Sequence, residues 1–148
     1  MITRLDHIAV AVPDLDAALR RFCDDLGLRL GGREDVASAQ TKTAFLPLPE
    51  TRIELIHPLD GQGPVQRFLD TRGGGLHHLC FETDDIEADM ARLTALGYRF
   101  LTDAPTPGAH GTRIAFIHPK SADGVLIELA EHPASGRLGS ARPVEGGE

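Results

Sequence analysis

The stretch GGGLHHLCFETDDIEADM, Gly73 to Met90, sets two adjacent histidines at the head of an apolar run and then passes through two aspartates into a helical pattern. Alone it is one strand and one helix. A fainter copy near the N-terminus gives it more meaning. HHLCFETDDIEADM, His77 to Met90, lines up with DHIAVAVPDLDAAL, Asp6 to Leu19, which pairs His78 with His7. Three further matches follow in the same order. LGLRL at Leu26 matches LGYRF at Leu96, TAFL at Thr43 matches IAFI at Ile114, and RIEL at Arg52 matches LIEL at Leu126, pairing Glu54 with Glu128. The offsets are 71, 70, 71 and 74 residues. A near-constant offset with one small insertion marks a duplicated supersecondary unit.

The elements of each copy read directly. A helix follows Val12-Pro13, capped by Asp14, with Leu15, Ala18, Leu19, Phe22 and Leu26 as its apolar stripe and Gly27 at its end. Its counterpart follows Thr83, capped by Asp84 or Asp85, with Ile86, Met90 and Leu93 inward and Gly97 at its end. A short helix starts at Pro64 and breaks at Gly73-Gly74-Gly75. Strands are expected at about 4–12, 42–48, 51–57, 76–83, 98–102, 112–117 and 125–131, with a weaker one near Leu28–Leu30. The chain is therefore α+β, two tandem βαβββ modules at about 1–60 and 74–133 joined by a linker helix at about 61–73. Residues 134–148, rich in Gly, Ser and Pro, are expected to be a flexible tail.

Composition narrows the function. Of 148 residues, 41% are hydrophobic and 25% charged, and the formal net charge is −7. That sign argues against nucleic acid and against an anionic membrane surface as partners. No apolar run approaches the ~20 residues of a membrane span. No basic segment followed by an apolar core opens the sequence, so a cytoplasmic location is expected. With Cys23 and Cys80 the only cysteines, no disulfide framework or Cys-His zinc spacing exists, and both are expected to be small packing residues.

Strand parity separates the histidines, because alternate side chains take opposite faces. Leu79 and Phe81 form the apolar pair a helix would cover, and His77 shares their parity; His78 falls on the other face with Cys80 and Glu82. In the first copy Ile8, Val10 and Val12 are covered, and His7 points away beside the small Ala9 and Ala11. Glu54 opposes Ile53 and Leu55, and Glu128 opposes Ile127 and Leu129. One rule thus gathers His7, Glu54, His78 and Glu128 on the uncovered face. Two imidazoles and two carboxylates suit a divalent first-row ion (Co, Ni, Mn, Fe or Zn) better than Ca, which prefers oxygen alone. His77 is expected at the rim or behind a ligand, as a residue that supports one. His57, His118 and His132 each precede proline and are expected in turns, and His110, in a glycine-rich loop, would line a substrate entrance. Gly73-Gly74-Gly75 lacks the P-loop pattern of a phosphate site.

With these residues in place, the chain resembles the vicinal oxygen chelate superfamily, the glyoxalase/bleomycin-resistance-like proteins that pair two βαβββ modules around one metal. Within it the sequence is similar to the methylmalonyl-CoA epimerase family. The likeness rests on LDHIAVAVPDLD, RIELIHPL, GPVQRFL, GGGLHHLCFETDDI, GAHGTRIAFIHPKS and GVLIEL, and covers nearly everything but the tail. It implies a concave, curved mixed sheet around the metal site with helices on its outer face, and His7, His78, Glu128 and Glu54 as ligands, position 54 being Gln or Glu in the family. It implies an acyl-CoA thioester substrate epimerised at C2 through a metal-stabilised enolate, with Glu128 and Glu54 as acid and base. The family's glutamate on the strand before position 54 has no counterpart here, because QTKTAFL, Gln40 to Leu46, offers no carboxylate. Lys120 and Arg113 are the cations expected to serve the CoA phosphates. Modest size and edge strands lead us to expect a homodimer. Two other readings share the fold. A glyoxalase I-like isomerase of a glutathione hemithioacetal suits Glu54 but not the HPKS and GVLIEL segments. A non-catalytic metabolite binder would have less use for the full ligand quartet.

Overall fold

The computed structural model describes residues 1–134, so most of the expected tail lies outside the described residues. The chain runs β1 (Ile2–Ala11), α1 (Leu15–Leu19), β2 (Gly32–Val36), β3 (Thr41–Leu48), β4 (Thr51–Pro58), α2 (Pro64–Arg72), β5 (Gly75–Thr83), α3 (Ile86–Ala95), β6 (Thr106–Pro107), β7 (Arg113–Ile117) and β8 (Ile127–Glu131). A π-helical turn, Arg20–Asp25, extends α1. All eight strands form one curled, open sheet in the order β2-β3-β4-β1-β5-β8-β7-β6. β1 and β5 meet antiparallel at its centre, β1 pairs parallel with β4 and β5 parallel with β8. Each module thus contributes four strands, and the repeat seen in the sequence is a repeat in space. Among the described residues, no helix is long and apolar enough to cross a membrane.

The two repeated helices start and pack alike. The Asp14 carboxylate accepts the Ala17 N–H at 3.0 Å, and the Asp85 carboxylate accepts the Ala88 N–H at 3.0 Å, satisfying donors that a helix start leaves open. On the outer face, Ala18 and Leu19 pack against Val12, Ala44, Leu46 and Leu55. In the second module, Ile86, Met90 and Leu93 pack against Ala115, Ile117 and Leu129. Leu55 is fully buried in the first of these cores. Leu55→Ala is expected to cost about 3 kcal/mol of stability, read from urea unfolding, through lost burial plus the cavity left behind.

The linker helix takes the other side. Val65, Phe68 and Leu69 of α2 pack on Ala9, Ala11 and Ile56, which share the face of His7 and Glu54. α2 therefore closes one end of the concave face, while α1 and α3 cover the convex one. Gly74 makes the sharp return into β5: its φ is +126°, and a Cβ there would sit 3.0 Å from the Ala11 carbonyl oxygen.

Two expected strands are placed differently. Of 98–102, only Phe100 bridges the sheet, to Ile117; the outer partner of β7 is instead β6. The edge strand expected near Leu28–Leu30 is β2, GREDV, a few residues later. Both edges are held by backbone bonds to a single neighbour, and β2 buries little apolar area, so hydrophobic patterning is blind to them.

Candidate metal centre and active site

The site is built by four strands around the centre of the sheet. Ala9 pairs with Glu54 across β1–β4, and Cys80 pairs with Glu128 across β5–β8. In each module, then, the glutamate lies opposite the residue two places after the histidine. The antiparallel β1–β5 pair brings the halves together, with His7 opposite Cys80 and Ala9 opposite His78. Small side chains at Ala9, Ala11 and Ala130 leave room above this floor.

His7, His78, Glu54 and Glu128 are all buried, each less than a tenth exposed. The Nε2 atoms of His7 and His78 face each other at 3.2 Å. Glu128 Oε2 stands 2.8 Å from His78 Nε2 and 3.8 Å from His7 Nε2. These three residues bring ligand-type atoms within 4.8 Å of one another. Glu54 is turned differently. Its Oε2 meets His7 Nδ1 at 2.8 Å and takes both Nε–H and a terminal N–H of Arg52, at 2.8 and 2.7 Å. Of the four expected ligands, three converge on one point, and the fourth backs the first from behind.

Behind the floor lies a polar network that parity does not anticipate. Asp6 Oδ2 stands 2.7 Å from His7 Nδ1 and 3.0 Å from Arg52, and Asp6 Oδ1 stands 2.6 Å from His132 Nε2 and 3.1 Å from Arg4. Two carboxylates on His7 Nδ1 fix its hydrogen there, which leaves Nε2 facing His78. Burial is the largest influence on His7 and would lower its pKa, but Glu54, Asp6 and Glu128 outweigh it and raise it to about 9. Burial likewise opposes the charge on Asp6, yet His132, His7 and Arg52 hold that carboxylate well below the usual range. Glu54 is lowered in the same way by His7 and Arg52. Burial pushes the Cys80 thiol up, as expected of a packing residue.

These observations test whether a divalent ion suits the residues present. Among the described residues, Asp6 pairs with Arg52 and Arg4, Glu54 with Arg52, and Glu128 with no permanent cation, and two ring nitrogens converge with a carboxylate oxygen. A nitrogen-rich N/N/O donor set with net negative charge around it fits a first-row divalent cation.

Above the floor is a cavity of about 520 Å³, lined by Thr41 and Thr43 of β3, Val65 of α2, Ile114 and Phe116 of β7, and the stretch Thr106–Ala109 that begins with β6. The three expected substrate contacts sit elsewhere. Arg113 shares parity with Ala115 and Ile117, faces α3, and is paired with Glu87 at 2.7 Å and Glu131 at 3.2 Å. Lys120 lies in the turn Pro119–Ser121, where its N–H is accepted by His118 Nδ1 at 3.0 Å. His110, at φ +56°, is half exposed, its ring edge-on to Phe45 and its backbone N–H on Glu34, while Gly108 and Ala109 beside it line the cavity. The cation that does line the cavity is Arg52, which strand parity with Glu54 would have found.

His77 also departs from its parity. Val10 pairs with Leu76 directly after Ala9 pairs with His78, so His77 is the extra residue of a β-bulge and turns into the cavity instead of joining Leu79 and Phe81. Burial, then His78 and Arg72, lower its pKa to about 4, which keeps this ring neutral. His132, expected in a turn, is buried on Asp6. His57 Nδ1–H donates to the Val12 carbonyl oxygen, 2.9 Å away.

Residues 6–116 match the model of the Glyoxalase/Bleomycin resistance protein/Dioxygenase superfamily. The ethylmalonyl-CoA/methylmalonyl-CoA epimerase of Cereibacter sphaeroides is 43% identical over 133 residues, covering 88% of this chain and 99% of that one. The structure of methylmalonyl-CoA epimerase from Mycobacterium tuberculosis superposes with a TM-score of 0.86 at 38% identity, covering 90% of this chain and 91% of the other. A methylmalonyl-CoA epimerase solved in complex with methylmalonyl-CoA and NH4+ superposes with the same TM-score at 34% identity, over 90% of this chain and 97% of that one.

Proposed function

Because this chain belongs to the Glyoxalase/Bleomycin resistance protein/Dioxygenase superfamily, and within it to the methylmalonyl-CoA epimerase family, we propose that it interconverts the C2 epimers of methylmalonyl-CoA. The observation that carries this reading is the placement of Glu54 and Glu128. One carboxylate from each module flanks the facing imidazoles at the floor of a cavity with largely apolar upper walls.

Epimerisation needs a C–H proton removed from one face of C2 and a proton returned to the other. Two acid–base groups on opposite sides of one carbon meet that need, and Glu54 on β4 and Glu128 on β8, which flank the β1–β5 pair from either side, are the groups that support the reading. His7, His78 and Glu128 would hold a divalent ion, with Co, Ni, Mn, Zn or Fe all compatible with the donor set. When bound, such an ion stabilises negative charge on the thioester oxygen as the proton leaves C2.

The chain's own residues do the rest. One glutamate takes the C2 proton as the C–H electron pair moves into the enolate. A proton then returns to C2 on the opposite face through the glutamate there, which takes one up from water first, and exchange with water resets the pair. Glu128 is the first of these groups; because a bound ion would lower its basicity, it would act as base by loosening from that ion. Glu54 is the second: its Oε2 is held by His7 and Arg52, and the residue lines the cavity. Ile114, Phe116 and Val65 exclude water from the reacting carbon and leave space for a short acyl group. A cytoplasmic homodimer completes the reading, supported by the open outer edges of β2 and β6 and by two unpaired cysteines.

The test is turnover of metal-reconstituted protein on one epimer of methylmalonyl-CoA, set beside methylglyoxal with glutathione. Formation of the other epimer alone is the expected result. Activity on the hemithioacetal alone would make the protein a glyoxalase I-like isomerase. Tight binding with neither reaction would make it a metabolite-binding member of the superfamily.

A further inference from the structure

We propose that His77 is a positioning residue for His78: it accepts the Nδ1–H of His78 and so fixes the tautomer that aims the Nε2 lone pair toward His7 and Glu128. This rests on the reading that His7, His78 and Glu128 hold a divalent ion. The two Nδ1 atoms of His77 and His78 stand 2.8 Å apart. Two imidazole nitrogens bond at that distance only when one carries the hydrogen and the other is bare. A metal-binding His78 must keep Nε2 bare, so its neutral ring carries the hydrogen on Nδ1. His77 is then the acceptor and carries its own hydrogen on Nε2. Ligating histidines generally hand their second N–H to a carboxylate, a carbonyl or water. Here a second imidazole fills that place.

The backbone builds this contact on purpose, and builds it twice. Adjacent residues of a regular strand point to opposite faces, so His77 could not reach the His78 ring without the bulge. In β1 the same irregularity falls one residue before the other histidine: Leu5 pairs with Phe81 and His7 with Cys80, leaving Asp6 as the extra residue. Each bulge residue then reaches Nδ1 of the histidine that follows it, Asp6 at 2.7 Å and His77 at 2.8 Å. The duplicated halves share the device and differ in its chemistry. His7 is backed by carboxylates and His78 by an uncharged ring. The linker helix supplies what holds that ring in place, Phe68 lying edge-on to His77 with centroids 4.9 Å apart.

The hydrogen bond can be read without substrate. In long-range 1H–15N imidazole spectra of the Zn(II)-loaded protein, His78 is expected with its hydrogen on Nδ1 and His77 with its hydrogen on Nε2. A His77 hydrogen on Nδ1 would overturn the proposal. Zn(II) affinity, by competition with a chromophoric chelator, gives a second reading. His77→Leu is expected to weaken Zn(II) binding about 10- to 100-fold, whereas His77→Asn, whose Oδ1 can take the same hydrogen, should stay within about threefold of the parent. Both variants lose the ring contact with Phe68, so their difference isolates the hydrogen bond. Zn(II) affinity unchanged in His77→Leu, or lost equally in His77→Asn, would show that His77 only packs against α2. Neither reading requires turnover, so a failed epimerase assay would leave this result standing by itself.

Discussion

His78→Ala is expected to abolish turnover and divalent-metal binding together, lowering kcat/KM by at least about 10³-fold, equivalent to about 4 kcal/mol of transition-state stabilisation. His78 is the residue on which the other contacts of the floor depend. Its Nε2 faces His7 at 3.2 Å and Glu128 at 2.8 Å, and its Nδ1 meets His77 at 2.8 Å. Alanine removes one of three converging donors and leaves Glu128 buried without its nearer partner. An unpaired buried carboxylate is costly, so Glu128 is expected to take up a proton or turn away, and either outcome removes a second donor. The fold should survive, because the sheet pairs through its backbone and both large cores lie on the opposite face. Isothermal titration with Co(II) and a thermal melt separate the two effects. Metal affinity within tenfold of the parent would remove His78 from the site.

Glu128→Gln is expected to act on chemistry more than on assembly. The amide has the carboxylate's size and retains an oxygen donor beside His78, so some metal binding should persist. What it loses is the capacity to take a proton from C2 and give one back. General acid–base groups typically contribute 10²- to 10⁴-fold, and loss of solvent-deuterium exchange at C2 on about that scale is expected. Comparing exchange with racemisation adds a distinction. Epimerisation needs both faces in turn and should stop from either epimer, whereas exchange should be lost for the epimer whose C2 hydrogen faces Glu128 and persist for the one that faces Glu54. Exchange unchanged from the parent would take the acid–base role away from Glu128.

The duplication was legible in the sequence because it is written in chemistry that both copies need. Each copy needs an aspartate to open its helix, a glycine to end it, and an alternating strand with one polar position on the open face. Alternation therefore placed His7, Glu54, His78 and Glu128 on one surface without any coordinates. The same rule failed where the backbone breaks its own period. Asp6 and His77 are bulge residues, and a one-residue insertion leaves no mark in the apolar pattern, yet these two side chains orient the histidines.

Other differences have different causes. Arg52 was within reach of parity, two residues before Glu54, but an arginine on an open strand face usually means solvent; here it is only 20% exposed because Glu54 and Asp6 enclose it. Arg113 lies between Thr112 and Ile114, which do face the cavity, and a shift of one position along a strand sends a side chain to the other surface, while Lys120 lies in a turn whose residues do not line the cavity. Glu54 was gathered to the right face, but its rotamer, turned to His7 Nδ1 and Arg52, depends on a charge balance that only the assembled site contains. The linker helix read correctly as a helix, while its place on the concave face is set by Ala9, Ala11 and Ile56, far from it in sequence.

One experiment weighs the metal site and the proton chemistry at once. The protein is stripped with a chelator, reloaded separately with Co(II), Ni(II), Mn(II) or Zn(II), and incubated with methylmalonyl-CoA in D2O, with deuterium at C2 followed by mass spectrometry of the thioester. Incorporation of one deuterium per molecule, restored by at least one of the ions and near the protein-free rate in the stripped sample, is the expected result. Incorporation at the protein-free rate with every ion, or undiminished incorporation in the stripped protein, would contradict it.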